Sequence, residues 1–396
     1  MRDFIRHYAA LLALALLAAL LLLSGCLGKR TDAPAASAPP EVAETPAPTP
    51  EPTPEPVREI ALDGTERADD ILALAENPEL TYVDGNRSTE YTALAQLCAE
   101  KPDCVVDYTV DLAGTPVKST DESVVLEGDK PPVEELIAQL AYLPRLSTVD
   151  VKALKYSDSD CVSIVEAFPE KKIVWVVHFG RWAVPTDAVV FSTLNSHDSD
   201  ISTYYRDATF EPLFKYCTDL VALDLGHNNI TNLEPIGKMT QLQVLILGDN
   251  INIRDATPLK NLTNLRYMEF FMAYFVEDFS WVDGMTKMKD LCIGYCGGLD
   301  DISFVQNMPE LEMGWFPGDG LSKEQREMAQ EARPDTHFLF FPSRESSTSD
   351  GWRKSDDNLA IRKAFRNWEN VVEFNDLDDV VYREGAKLIE VYPMDN

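Results

Sequence analysis

Histidine and cysteine are scarce in this chain of 396 residues, five of one and seven of the other. No two cysteines stand in the CxxC spacing of a structural zinc site, and seven are too few for a fold built on disulfides. HExxH, GxSxG and a glycine-rich phosphate loop are all missing, so no motif sets a nucleophile or a metal beside a base. No cofactor and no metal are expected. Positive charge is also short. Against 66 Asp and Glu stand 35 Lys and Arg, and the formal charge of -31 repels nucleic-acid phosphates and anionic headgroups. A nucleic-acid partner is therefore not expected. Apolar residues, by contrast, are plentiful: 45% hydrophobic and 9% aromatic content over this length supports two or three domains held by packing.

Arg2 and Arg6 precede an unbroken apolar run from Ala9 to Leu23, the length of a leader core and short of the ~20 residues that a spanning helix needs. The run ends in Leu23-Ser24-Gly25-Cys26, which resembles the lipobox of bacterial lipoproteins. That resemblance implies a signal peptide over residues 1–25, removal of the leader before Cys26, and a diacylglycerol on the Cys26 thiol. Two acyl chains suffice for stable anchoring, so the expected location is the extracytoplasmic face of a cell membrane. Residues 26–58 then form a tether. Nine of the chain's 25 prolines fall between residues 31 and 57, a composition that cannot build a core. In polyproline form at ~3.1 Å per residue they span roughly 80 Å.

From Leu220 one pattern returns: Leu220-x-x-Leu223-x-Leu225-x-x-Asn228, Leu242-x-x-Leu245-x-Leu247-x-x-Asn250, Leu265-x-x-Met268-x-Phe270, and Met288-x-x-Leu291-x-Ile293-x-x-Cys296. The steps are 22, 23 and 23 residues, and another 23 reaches Leu311. The pattern resembles the leucine-rich repeat, and the second halves, such as Asp255-Ala256-Thr257-Pro258-Leu259, resemble the internalin-like class of bacterial surface repeats. The resemblance implies an α/β solenoid of short parallel strands over residues 216–320, with an extended or 3-10 convex side. Asn228 and Asn250 are expected to bond the backbone at the turn leaving each strand, with Cys296 as a substitute. Ala273 has no polar side chain, so a strained or water-bridged ladder is expected there.

Flanking modules are expected to cap the solenoid, α/β modules over residues 59–215 and a C-terminal cap over residues 321–396. Val110, Gly114, Thr120-Asp121 and Val124 match Val176, Gly180, Thr186-Asp187 and Val190 at an offset of 66. Leu146-x-x-Val149-x-Val151 reads as an early repeat strand. In the tail, Ser355 reads as an N-cap, with Ile361, Phe365 and Trp368 at helical spacing behind it. Cys98 and Cys104 bracket a helix end, either as a disulfide or as buried thiols. The acidic groups Asp198 with Asp200, and Asp376 with Asp378 and Asp379, lack the spacing of a calcium loop and read as solvated surface.

Side chains alternate along a strand, which points every second residue to the concave face. The expected binding residues are Asp224, Val244, Ile246, Tyr267, Glu269, Phe271, Asp290, Cys292 and Trp315. Aromatic anchors beside carboxylates suit a protein, a peptide with basic groups, or a glycan stacked on rings. The competing expectation is that the segment from Trp182 to Asp200 folds over this face and turns it into core. An envelope enzyme with its chemistry around Trp182, Asp187, His197 and Trp352 is the alternative function, and a spacer without a ligand is a third.

Overall fold

A computed structural model describes residues 57–193, 205–318, 320–341 and 345–392. The expected leader, the lipidation residue Cys26, most of the tether, and His197, Asp198 and Asp200 lie outside them. The described chain is a ladder of very short strands. Glu59–Ala61 (β1), Tyr82–Asp84 (β2) and Val105–Asp107 (β3) form a parallel sheet. A hairpin of Thr109–Leu112 (β4) and Thr115–Lys118 (β5) follows. Ser123–Val125 (β6), Thr148–Asp150 (β7) and Lys172–Val174 (β8) form a second parallel sheet. A second hairpin, Val176–Phe179 (β9) with Trp182–Pro185 (β10), leads into the third sheet. That sheet has seven parallel strands in chain order: Val190–Ser192 (β11), Ala222–Asp224 (β12), Val244–Ile246 (β13), Tyr267–Phe271 (β14), Asp290–Gly294 (β15), Met313–Trp315 (β16) and His337–Leu339 (β17).

The LxxLxL pattern explains each rung. Leu223, Leu245, Met268 and Leu291 are the strand centres, and Leu225, Leu247, Phe270 and Ile293 follow them inward. All eight are buried, each contributing roughly 1.5–3 kcal/mol, and no rung can bury its own without a neighbour. On the return side Asp255, Asp278 and Asp301 each accept the backbone N–H two residues on, from Thr257, Ser280 and Ser303. These turns open the 3-10 segments Thr257–Asn261, Ser280–Val282 and Ser303–Asn307, so the convex side is 3-10 where the repeat pattern is strongest. Elsewhere it is helical: Ala68–Ala73 (α1), Tyr91–Glu100 (α2), Val133–Leu140 (α3), Asp158–Ala167 (α4), Asp207–Tyr216 (α5) and Lys323–Ala332 (α6) fill the same place.

The segment expected as α/β capping modules is thus made of rungs of the same kind. Its strands start at Glu59, Tyr82 and Val105, then at Ser123, Thr148 and Lys172, and one core runs on from Leu62 to Ala329. Leu146-x-x-Val149-x-Val151 does carry a rung, β7. The internal similarity has a different register from the expected 66. Ser119 Oγ donates to Val106 O and accepts from Tyr108 N; Thr186 Oγ1 donates to Ile173 O and accepts from Trp175 N. Three such pairs place the offset at 67, because hydrogen-bond geometry pairs Ser119 with Thr186 whereas letter matching pairs Thr120 with it.

The C-terminal segment contains Asp356–Arg366 (α7), N-capped by the Ser355 hydroxyl, and a hairpin of Val371–Asp376 (β18) with Asp379–Tyr382 (β19). It packs across the concave face of the seven-stranded sheet. Trp352, Ile361, Ala364, Phe365, Val371, Phe374 and Leu377 form a second core with Val190, Ala222, Val244, Ile246, Tyr267, Cys292, Trp315 and Leu339. Among the described residues the cover is the tail; of the segment from Trp182 to Asp200, Trp182–Pro185 and Val190–Ser192 are strands, and residues 194–200 lie outside the described residues.

Candidate binding surfaces

Every residue expected to greet a partner on the concave face has a partner in the chain itself. Asp224, Val244, Ile246, Tyr267, Asp290, Cys292 and Trp315 are buried, and Glu269 and Phe271 are half-buried. This corrects the expectation of an open face. Its apolar area exceeds what a single chain leaves in water, and the stripe on α7 is the surface that covers it. Trp352 stacks between Tyr267 and Trp315 with ring centroids 5.2 and 6.1 Å away. Its indole N–H donates to Glu269 Oε1 at 3.1 Å, and Asn358 Nδ2 donates to Tyr267 Oη at 2.7 Å. Lys289 and Asp357 add an ion pair at 2.9 Å, and Arg266 pairs with Asp376 at the edge. Phe271 lies over Gly248, where a Cβ would meet the ring at 2.3 Å, so only glycine fits under it.

Burial sets the charge of the acids under the cap. Desolvation pushes Asp224 up to about 6, against hydrogen bonds from Gly226 N–H and the Ser192 hydroxyl. Desolvation, with Asp357 opposite, raises Asp290 far above the usual carboxylate range. Both causes favour the protonated form of Asp290.

Of the residues of the enzyme alternative, His197 lies outside the described residues, and the other three each have partners of their own. Trp182 is buried among Phe179, Phe191, Tyr205 and Phe210. Asp187 pairs with Lys152 at 2.7 Å, and Trp352 belongs to the cap. Cys98, Cys104, Cys161 and Cys217 are buried free thiols, and Cys292 and Cys296 are buried without a disulfide. Among the described residues no cluster of three or more His, Cys, Asp or Glu has metal-holding geometry.

What stays open is the ridge of turns at the carboxyl ends of the strands. Each turn passes through a left-handed residue: His227, Asp249, Met272, Tyr295 and Gly318. Just beyond it, Ile251, Tyr274 and Phe275 are 45%, 45% and 46% exposed, and Tyr295 is 37% exposed. They occupy three consecutive rungs, ~4.8 Å apart. Arg254 lies over the Phe275 ring at 4.2 Å. Asp255, Glu277, Asp278, Asp300 and Asp301 flank them in solvent. Attention to the strand pattern passed over this ridge. Its trace in the sequence is the pair Tyr274-Phe275 at a turn, directly after the Ala273 that breaks the asparagine ladder.

Residues 218–261 match the family model of Leucine Rich repeats (2 copies). No curated protein matches the chain. Solved structures similar to it include internalin C2 of Listeria monocytogenes, 18% identical over 55% of this chain and 79% of that one, TM-score 0.28. Internalin F of the same organism is 18% identical over 72% and 79%, TM-score 0.30. A leucine-rich-repeat protein of Leptospira interrogans is 11% identical over 68% and 74%, TM-score 0.28. Residues 218–261 thus match leucine-rich repeats, and the parallel register of β12 and β13 continues through β17 in the same leucine-rich-repeat fold.

Proposed function

We propose that this protein is a lipid-anchored extracytoplasmic module that captures a protein partner on the turn ridge of its repeats. Leucine-rich-repeat stacks commonly serve as scaffolds for protein binding and are rarely catalysts, which sets the class. One observation carries the choice of surface: Ile251, Tyr274, Phe275 and Tyr295 stand in solvent on successive rungs, while Tyr267 and Trp315 of the concave face lie under the chain's own tail. Exposed aromatic side chains grouped in this way favour an interface. The carboxylates beside them, in a chain of net charge -31, select a partner with an apolar centre and a basic rim. The lipobox-like Leu23-Ser24-Gly25-Cys26 and the proline-rich stretch behind it support the anchor and the distance from the membrane.

The test uses the full chain in detergent, cross-linked to surface proteins of its own cells. A partner captured by the wild type and lost with Tyr274→Ser plus Phe275→Ser, at unchanged thermal midpoint, is the expected result. Both side chains are exposed, so the change is expected to alter stability by no more than about 0.5 kcal/mol. Capture that survives the double change would move the interface elsewhere.

A further inference from the structure

The opposite edge of the same sheet holds a cleft of different chemistry. Its volume is about 540 Å³, and it is lined by Gln241, Gln243, Asn264, Arg266, Lys287, Glu310 and Asn375. The repeat builds it. Three residues before each strand start stand Gln241, Asn264, Lys287 and Glu310, and one before stand Gln243 and Arg266. The period therefore stacks two polar columns at the amino ends of β13 to β16. Asn375 of β18 closes the cleft from the cap.

Three side chains of the first column are already tied. Gln241 Nε2 donates to Thr218 O at 2.7 Å, Asn264 Nδ2 to Thr240 O at 2.9 Å, and Lys287 Nζ to Asn264 Oδ1 at 2.8 Å. Their side chains are held in place before anything binds, which lowers the entropy that binding must overcome. Two atoms of the lining are buried and have no partner: Gln243 Oε1, an acceptor, and Arg266 Nε, a donor. A buried polar atom left unpaired costs about 1–3 kcal/mol, so a ligand that satisfies both an acceptor and a donor gains there.

The lining also says what the ligand is. All seven side chains are polar, so an apolar molecule gains nothing by entering. Arg266 is engaged by Asp376 and stands 3.9 Å from Glu310. Together with Lys287 these groups cancel in charge, so the cleft selects for neither an anion nor a cation. Amide groups present an acceptor and a donor side by side, which matches neighbouring hydroxyls of a sugar ring. The volume falls in the range of small-molecule sites, ~300–1,000 Å³.

We propose that this cleft binds a short neutral saccharide, held by Gln243, Asn375 and the Arg266 Nε–H. The site is independent of the turn ridge, which lies at the other end of the strands. The experiment is calorimetric titration of the full chain in detergent with cellobiose and with N,N′-diacetylchitobiose, the second carrying amides that complement those of the lining. At least one is expected to bind with a Kd of about 1 mM or tighter. Gln243→Ala and Asn375→Ala are each expected to weaken it about tenfold, while Tyr274→Ser plus Phe275→Ser leaves it unchanged. Asn375 sits on the hairpin of the cap, so Asn375→Ala reads the site even if Gln243→Ala unfolds the repeats. The proposal is overturned if neither disaccharide binds at ~10 mM, if binding ignores Asn375→Ala, or if glucuronate or glucosamine, the charged counterparts of the sugar units, bind more tightly.

Discussion

At the scale of single residues the repeat is held by what closes its turns. Asn250 is fully buried, and its Nδ2 donates to Leu225 O and Leu247 O, both at 2.9 Å. Its Oδ1 accepts from Ile230 N at 2.9 Å, so one side chain stitches two rungs. Asn250→Ala strands two buried backbone groups, Leu247 O and Ile230 N, and leaves Leu225 O to Asn228 alone. It is expected to cost on the order of 3 kcal/mol, read as a lowered urea midpoint at unchanged slope. Ala273 shows why its rung survives without an asparagine. Leu247 O is already served by Asn250, Ile253 N donates to Asn250 O, and the Cys296 thiol reaches Phe270 O at 3.8 Å. The expected strain or bridging water at Ala273 is thus replaced by protein neighbours that take over its bonds. Asn228 does as its sequence position implies, donating to Leu225 O and Gly226 O.

At the scale of elements the strands were legible and their cover was not. Leucines at fixed spacing point inward whatever lies above them, so β12 to β16 follow from Leu220, Leu242, Leu265, Met288 and Leu311 alone. The earlier rungs hide because valine and aromatic residues replace leucine: β3 closes on Val106 and Tyr108, and β8 on Ile173 and Trp175. The helix stripe of the tail and the apolar concave face were each readable. Their union depends on contacts such as Asn358 with Tyr267, 91 residues apart, which no local pattern encodes. The ridge was missed for a related reason, since the places one repeat step apart, Ile251, Tyr274 and Gly297, share no residue type. The cap carries a pH signature of its own. Asp290 is raised by burial and by Asp357, so the folded chain holds a proton that the unfolded chain releases above about pH 4. Its contribution is complete below that pH and falls as pH climbs toward the raised folded value. Asp290→Asn keeps a donor toward Asp357 and cannot ionise. Its stability relative to the wild type is expected to rise steadily between pH 5 and pH 8, measured by chemical denaturation; a constant difference would show that Asp290 does not titrate on unfolding.

At the scale of the molecule the proposed location sets charge against lipid. A surface of net charge -31 is repelled by an anionic bilayer, so attachment falls to the acyl chains that the Cys26 motif implies. Cys26→Ser is expected to abolish incorporation of a labelled fatty acid and to move the protein from the membrane fraction to the soluble one. Label retained by the variant would place the lipid elsewhere. No helix among the described residues is long and apolar enough to cross a membrane, which leaves the described part without a spanning helix of its own.

The correspondence of Ser119 with Thr186 has a consequence for how such a chain changes length. A block that starts and finishes at matching points of the same motif can be copied or lost whole, joining Val105 directly to Ile173, while the hydrogen-bonding phase on both sides survives. Lineages could then lengthen or shorten the ladder ahead of the ridge in fixed increments without redesigning a single contact in the ridge.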